Sequence, residues 1–244
     1  MMIFFVCELS YGSTISKINI LDASQNIKLL SQKISKEYIY FYNIQDKKHL
    51  LKSIEENILM LGEDIRLIST RTKDEKVKRL LAFFDYEKEQ FLKILEKDPE
   101  ANFVSATLDF SDSINEGAIF LSNYASYEYS FEEKMLLISQ QVEFLSEKTI
   151  KYYMAVVSDV KKLSIENKIE VSLGELEKKI KIIQSYKYPK KYKSVVKDLT
   201  KYLALYKKLY QSLKIMRVPT IALIGTEGFS NSIRKLTSFH KQNQ

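Results

Sequence analysis

At 244 residues the chain is long enough for one large or two small domains, each able to bury a core of its own. Six glycines, three prolines and no tryptophan, among many Lys, Glu, Leu, Ile, Tyr and Ser residues, point to long helices. Lys and Arg exceed Asp and Glu by 38 to 31, but the charges are interspersed along helical periods, which fits solvated helix faces better than a nucleic-acid surface.

The N-terminus reads MMIFFVCELSYGSTIS, a short apolar run from Met2 to Cys7 followed by small polar residues from Ser10 to Ser13. This resembles the end of a secretory signal and its cleavage region, without a basic n-region. The expectation is a truncated signal peptide over residues 1–13 and export to the periplasm; the alternative is a frayed apolar N-terminus. Cleavage would remove Cys7, the only cysteine, and with it thiol chemistry and thiolate metal sites. No later segment approaches ~20 consecutive apolar residues, so no membrane span is expected.

Period and punctuation then place eight helices: Ile18 to Asn43, Lys47 to Thr70, Asp74 to Glu96, Asn102 to Tyr127, Phe131 to Leu163, Ile165 to Tyr186, Lys190 to Met216 and Pro219 to Lys241. Asp98-Pro99, Pro189 and Pro219 sit at junctions, where proline is tolerated. Strand signals are weak, since no Asn-Gly or Asp-Gly turn and no sustained Val/Ile/Thr alternation occurs.

Two stretches recur. SQNIKLLSQKISKEYI from Ser24 matches SQQVEFLSEKTIKYYM from Ser139, an offset of 115; FSDSINEGAIF from Phe110 matches FSNSIRKLTSF from Phe229, an offset of 119. Matches in the same order at nearly the same offset predict an internal duplication. The predicted fold is all-α, two tandem four-helix bundles over residues 14–128 and 129–244. A continuous helix through Ser126 to Met135 would stack them end to end as a rod; a break near Tyr129 and Ser130 would let them bend.

On the first helix, Ile20, Ala23, Ile27, Ile34, Tyr38 and Phe41, with Leu30 beside them, form a core seam at about 100° per residue. Ser24, Lys28, Ser31, Gln32 and Ser35 lie alongside that seam, while Asp22, Asn26, Lys33, Lys36 and Glu37 take the far side. Such a flank suits close helix contact, or a small polar ligand held by hydroxyl, amide and ammonium donors.

Asp22 to Ile39, DASQNIKLLSQKISKEYI, resembles the hallmark of the N-terminal sensor domain of type IV pilus methyl-accepting chemotaxis transducers, the PilJ-type domain. It is also similar to the P-box of NarX-type nitrate and nitrite sensor kinases. The shared positions are Ser24, Lys28, Leu29, Leu30, Ser31, Gln32, Lys33, Ile34, Ser35, Lys36 and Tyr38; the second copy keeps Leu145, Ser146, Lys148, Lys151 and Tyr153. The resemblance implies an all-helical periplasmic sensory module, without cofactor, that binds a small anion such as nitrate or nitrite and signals through a membrane-bound receptor or kinase. It also allows a homodimer. The oxyanion-contacting arginine of the relatives falls on Lys28, with Ser24, Ser31 and Gln32 as candidate neighbours.

Lysine keeps the charge and loses the bidentate fork of arginine. The second copy carries Glu143 at this position, which would repel an anion, and Gln25 stands where the motif has glycine. No HAMP segment, methyl-accepting coiled coil or kinase domain is legible, so a sensor domain standing alone is expected. The alternative is an envelope helical adaptor or scaffold that keeps the fold without ligand binding.

Other motifs carry less. His49 and His240 are expected at the surface near helix ends, not as metal ligands. The pairs Glu55-Glu56, Glu63-Asp64 and Glu132-Glu133 read as charged helical faces rather than catalytic carboxylates. Leu223 to Ser232, LIGTEGFSNS, reads as a helix with a flexible or close-packed turn; Tyr186 to Lys197 interleaves tyrosines with lysines, which in principle could stack on bases, but straddles Pro189 and reads rather as a solvated helix connection. No nucleophile, base and oxyanion set assembles, so no enzyme is expected.

Overall fold

The computed structural model describes residues 5–43, 48–160 and 165–244. Every regular element among them is helical: α1 Phe5–Asn43, α2 Lys48–Arg71, α3 Glu75–Leu95, α4 Ala101–Tyr124, α5 Phe131–Val157, α6 Ile165–Ser185, α7 Lys193–Ser212 and α8 Pro219–Gln242, with a 3₁₀ turn at Lys190–Tyr192. The all-α expectation holds. The leader expected over residues 1–13 lies partly outside the described residues, as do Lys47 and Leu163, two predicted helix ends.

Local chemistry sets the boundaries. Asp74 Oδ1 accepts the amides of Lys76 and Val77 and starts α3. Ser130 and Glu133 form a capping box, Glu133 N donating to Ser130 Oγ at 3.2 Å and Ser130 N to Glu133 Oε2 at 2.7 Å. Ser130→Ala removes one arm of that box and is expected to cost about 1 kcal/mol in urea unfolding. The fifth helix ends at Val157 rather than Leu163, because Asp159 takes a left-handed φ of 55° and closes the turn. Pro189 precedes the 3₁₀ turn, so α7 starts at Lys193 rather than Lys190.

The predicted seam is the core: Ile20, Ala23, Ile27, Leu30, Ile34, Tyr38 and Phe41 are all buried. In the first half α1 packs on α2 and α4, and α3 bridges α2 and α4; in the second, α5 packs on α6 and α8, and α7 bridges α6 and α8. Each half therefore closes a ring of four helices. Gly225 and Gly228 let α8 press on α7, since a Cβ at Gly225 would stand 2.8 Å from Leu205 Cδ2 and one at Gly228 would overlap the Tyr202 hydroxyl.

The halves do not stack as a rod. The chain breaks over residues 125–130, and α1 lies against α5 along its side. Contacts of Lys28 with Phe144, Lys36 with Glu147 and Asn43 with Ser158 rise together along both helices, so the two run parallel.

Candidate functional site

Because α1 touches α2, α4 and α5, the flank beside its seam is covered. Ser24, Ser31 and Ser35 are completely buried and Gln32 nearly so, a correction to their expected half-solvated position. They meet α4, which runs antiparallel to α1. Ser24 Oγ donates to Leu21 O at 2.7 Å and lies 2.8 Å from Ser122 Oγ; Gln25 Nε2 donates to Ser122 Oγ. Ser31 Oγ donates to Lys28 O, Gln32 Nε2 donates to Ser31 Oγ and Ser111 O, and Ser35 Oγ donates to Thr107 O. Ser24 and Ser31 spend their donors on carbonyls of α1 itself, Ser35 and Gln32 donate across to α4, and Gln32 Oε1 is left buried without a hydrogen bond among the described residues.

Lys28 points elsewhere. Its ammonium lies 4.8 Å from the centroid of the Phe144 ring on α5, and Lys148 Nζ lies 5.6 Å from the same ring. Lys28 is buried, and among the described residues no carboxylate comes within ion-pairing distance of it or of Lys148. Burial first, and then the Lys148 charge, push the Lys28 ammonium down from its ordinary range. The structure thus separates Lys28, which faces α5, from Ser24 and Gln32, which bond α4, and from Ser31, which bonds only Lys28 O and Gln32.

On the predicted outer face of α1, Asn26 is exposed and Asp22, Lys33 and Glu37 are half-buried, but Lys36 is covered. Lys36 is 3% exposed and its Nζ sits 2.7 Å from Glu147 Oε2 of α5. Ser230 of α8 donates to Glu147 Oε1 at 3.0 Å. Burial opposes charge on both partners, yet their mutual attraction outweighs it, raising Lys36 and lowering Glu147. At the positions matched by the sequence repeat, Lys151 of α5 is fully buried and donates to Ser111 Oγ at 2.8 Å and Asp112 Oδ1 at 2.9 Å, both on α4. Tyr152 and Lys168 complete the bonding of Asp112. Both halves therefore bury a lysine–carboxylate pair that a serine of a last helix also bonds, Ser111 to the lysine in one and Ser230 to the carboxylate in the other. The neutralising carboxylate comes from α5 in one case and α4 in the other. Periodicity alone missed both centres; the recurrence of lysine at 36 and 151 was the available signal.

Glu143, expected to repel anions, is neutralised instead: Arg234 Nε donates to its Oε1 at 2.8 Å and Lys33 Nζ lies 3.6 Å away. His240 is buried, not superficial, because the α6–α7 connection folds its tyrosines over the end of α8. Its Nε2 lies 2.7 Å from Tyr188 Oη and its Nδ1 2.7 Å from Glu132 Oε2, with Tyr186 and Phe239 packed edge-on. His49 is exposed, as expected. Among the described residues no group of His, Cys, Asp and Glu side chains could hold a metal ion, and no helix is long and apolar enough to cross a membrane. Compared with known proteins, the chain matches no family model, no curated protein and no solved structure.

Proposed function

We propose that the protein is a small-anion-binding sensory module whose site lies at the α1–α5 junction, at Lys28 and Lys148. One observation carries the reading: a buried ammonium with no carboxylate in ion-pairing distance among the described residues, beside a second ammonium and over an aromatic ring. Burying an unpaired charge is costly, and a small anion between the two lysines would relieve both desolvation and repulsion. The resemblance of Ser24 to Tyr38 to the PilJ-type and NarX-type motif supports nitrate, nitrite or a small carboxylate as ligand, and signalling through a membrane-bound partner in the periplasm. The matching helix adjacency of the two halves supports their origin by duplication.

A second reading, a helical adaptor without ligand, is favoured by the hydrogen bonds of Ser24, Ser31 and Ser35, which packing already consumes. Melting curves separate the two. Saturating nitrate, nitrite or acetate should raise the melting temperature by several degrees, since a ligand at ~100 times its Kd adds about 2.7 kcal/mol to stability. Lys28→Met should raise the ligand-free melting temperature and abolish the shift. A shift that survives Lys28→Met, or no shift with any of the three anions, removes this reading in favour of the adaptor.

A further inference from the structure

A cavity at the junction of the halves owes nothing to Lys28. It measures about 450 Å³ and opens between α1, α2, α5 and α8, lined by groups of both charges and by an apolar floor. Its size falls within the range of small-molecule sites.

At one side stands Arg234. Its side chain is 50% exposed and commits only Nε, to the almost completely buried Glu143. The two terminal guanidinium nitrogens have no protein partner among the described residues, and a free fork of this kind matches a carboxylate. Lys33, which reaches the same Glu143 oxygen at 3.6 Å, adds a second positive charge beside it. One turn along α1 from Lys33 stands Glu37. Asn57 Nδ2 donates to its Oε2 at 3.0 Å, but no ammonium or guanidinium among the described residues comes within ion-pairing distance. Burial, and then the nearby Glu147 charge, push this carboxyl up from its ordinary value, with Lys36, a hydrogen bond from Ser53 and Lys33 only partly offsetting them. Leu29, Leu30 and Met60 form the apolar part of the wall.

We propose that this cavity binds a free α-amino acid with an apolar side chain: its carboxylate on Arg234 and Lys33, its ammonium on Glu37, and its side chain against Leu29 and Met60. A simple anion would leave Glu37 without its cation, and an amine would leave the guanidinium fork unfilled. The zwitterion answers both and adds no net charge to the cavity. The sequence repeat supplies an internal contrast. Asn115 matches Arg234 and Tyr152 matches Glu37, and both line a smaller pocket of about 310 Å³ between α4, α5 and α6. That pocket holds the carboxylates Asp112 and Glu116, but Asp112 is taken up by Lys151, Lys168 and Tyr152 and no guanidinium lines it, so the free fork belongs to one side of the junction alone.

Isothermal titration of the full chain with L-valine and L-leucine tests the assignment, with isovalerate and isobutylamine as the probes that lack one charge. Binding of valine or leucine is expected, weakened at least about tenfold in either truncated probe and in Glu37→Gln, as loss of one charge-assisted contact implies. Arg234→Lys keeps an ion pair for Glu143 while removing the fork, so it separates loss of ligand from loss of fold; it should weaken valine similarly with an unchanged melting temperature. Lys28→Met should leave amino-acid binding intact, which distinguishes failure here from failure of the anion site. No heat with either amino acid at millimolar concentration, or isovalerate binding as tightly as valine, would overturn the proposal.

Discussion

Glu147→Ala destabilises the fold by about 3 to 5 kcal/mol, because it leaves the Lys36 ammonium buried without its counter-charge. Both side chains of this pair are 3% exposed or less, and water cannot replace the lost partner. The contact joins α1 to α5, so its loss weakens the junction between the halves as well as the site itself. Glu147 Oε2 meets the ammonium at 2.7 Å but outside good hydrogen-bond geometry, and Ser230 holds the other oxygen. An apolar replacement of both charges, Lys36→Met with Glu147→Leu, should therefore recover most of the loss. Urea denaturation of the two variants decides the matter, and a Glu147→Ala protein as stable as the wild type would sink it. The pH dependence has a definite sign. Glu147 is lowered and Lys36 raised in the fold, so the pair's contribution is present between the unfolded carboxylate and ammonium values. It is lost on the acid side as Glu147 protonates.

Asp112→Ala produces a comparable loss, about 3 to 5 kcal/mol, by the same mechanism at Lys151. The two partners differ in what burial does to them. At Asp112, partly open to solvent, burial is outweighed by Lys151, Lys168 and Tyr152, and the carboxyl is held well below the usual range. At the fully enclosed Lys151, burial outweighs the pull of Asp112 and lowers the ammonium to about 8. The unfolded chain then binds more protons than the native one between pH 8 and ~10.4, so Lys151 makes the wild type more stable as pH rises through that window. Asp112→Ala, which removes the pull, should steepen the rise, and adding Lys151→Met should abolish it. Unfolding free energies at pH 7 and pH 10 provide the measurement; a flat profile for all three proteins would reject the assignment.

These centres mark the limit of what helical periodicity can report. The seam from Ile20 to Phe41 was legible because apolar residues three and four apart share a face whatever helix covers it. The opposite face was misjudged for Lys36, whose neighbours in sequence are those of a solvated surface. Its burial depends on Glu147, contributed by another helix in the other half of the chain. His240 was misjudged likewise, since Tyr188 and Glu132 reach it from α5 and the α6–α7 connection. The candidate site divided for the same reason: Lys28 and Gln32 are one turn apart on α1, but α5 receives one and α4 the other.

Local rules in the amino-acid sequence were sufficient to determine the all-helical class, the order of eight helices and most of their ends, because caps, prolines and hydrophobic spacing act within a few residues. The side-by-side placement of the halves, and with it the burial of Lys28, Lys36 and Lys151 and the cavity between Glu37 and Arg234, was decided only in the tertiary structure. Those features require charges far apart in the chain to meet where water is excluded, and no local pattern records the partner.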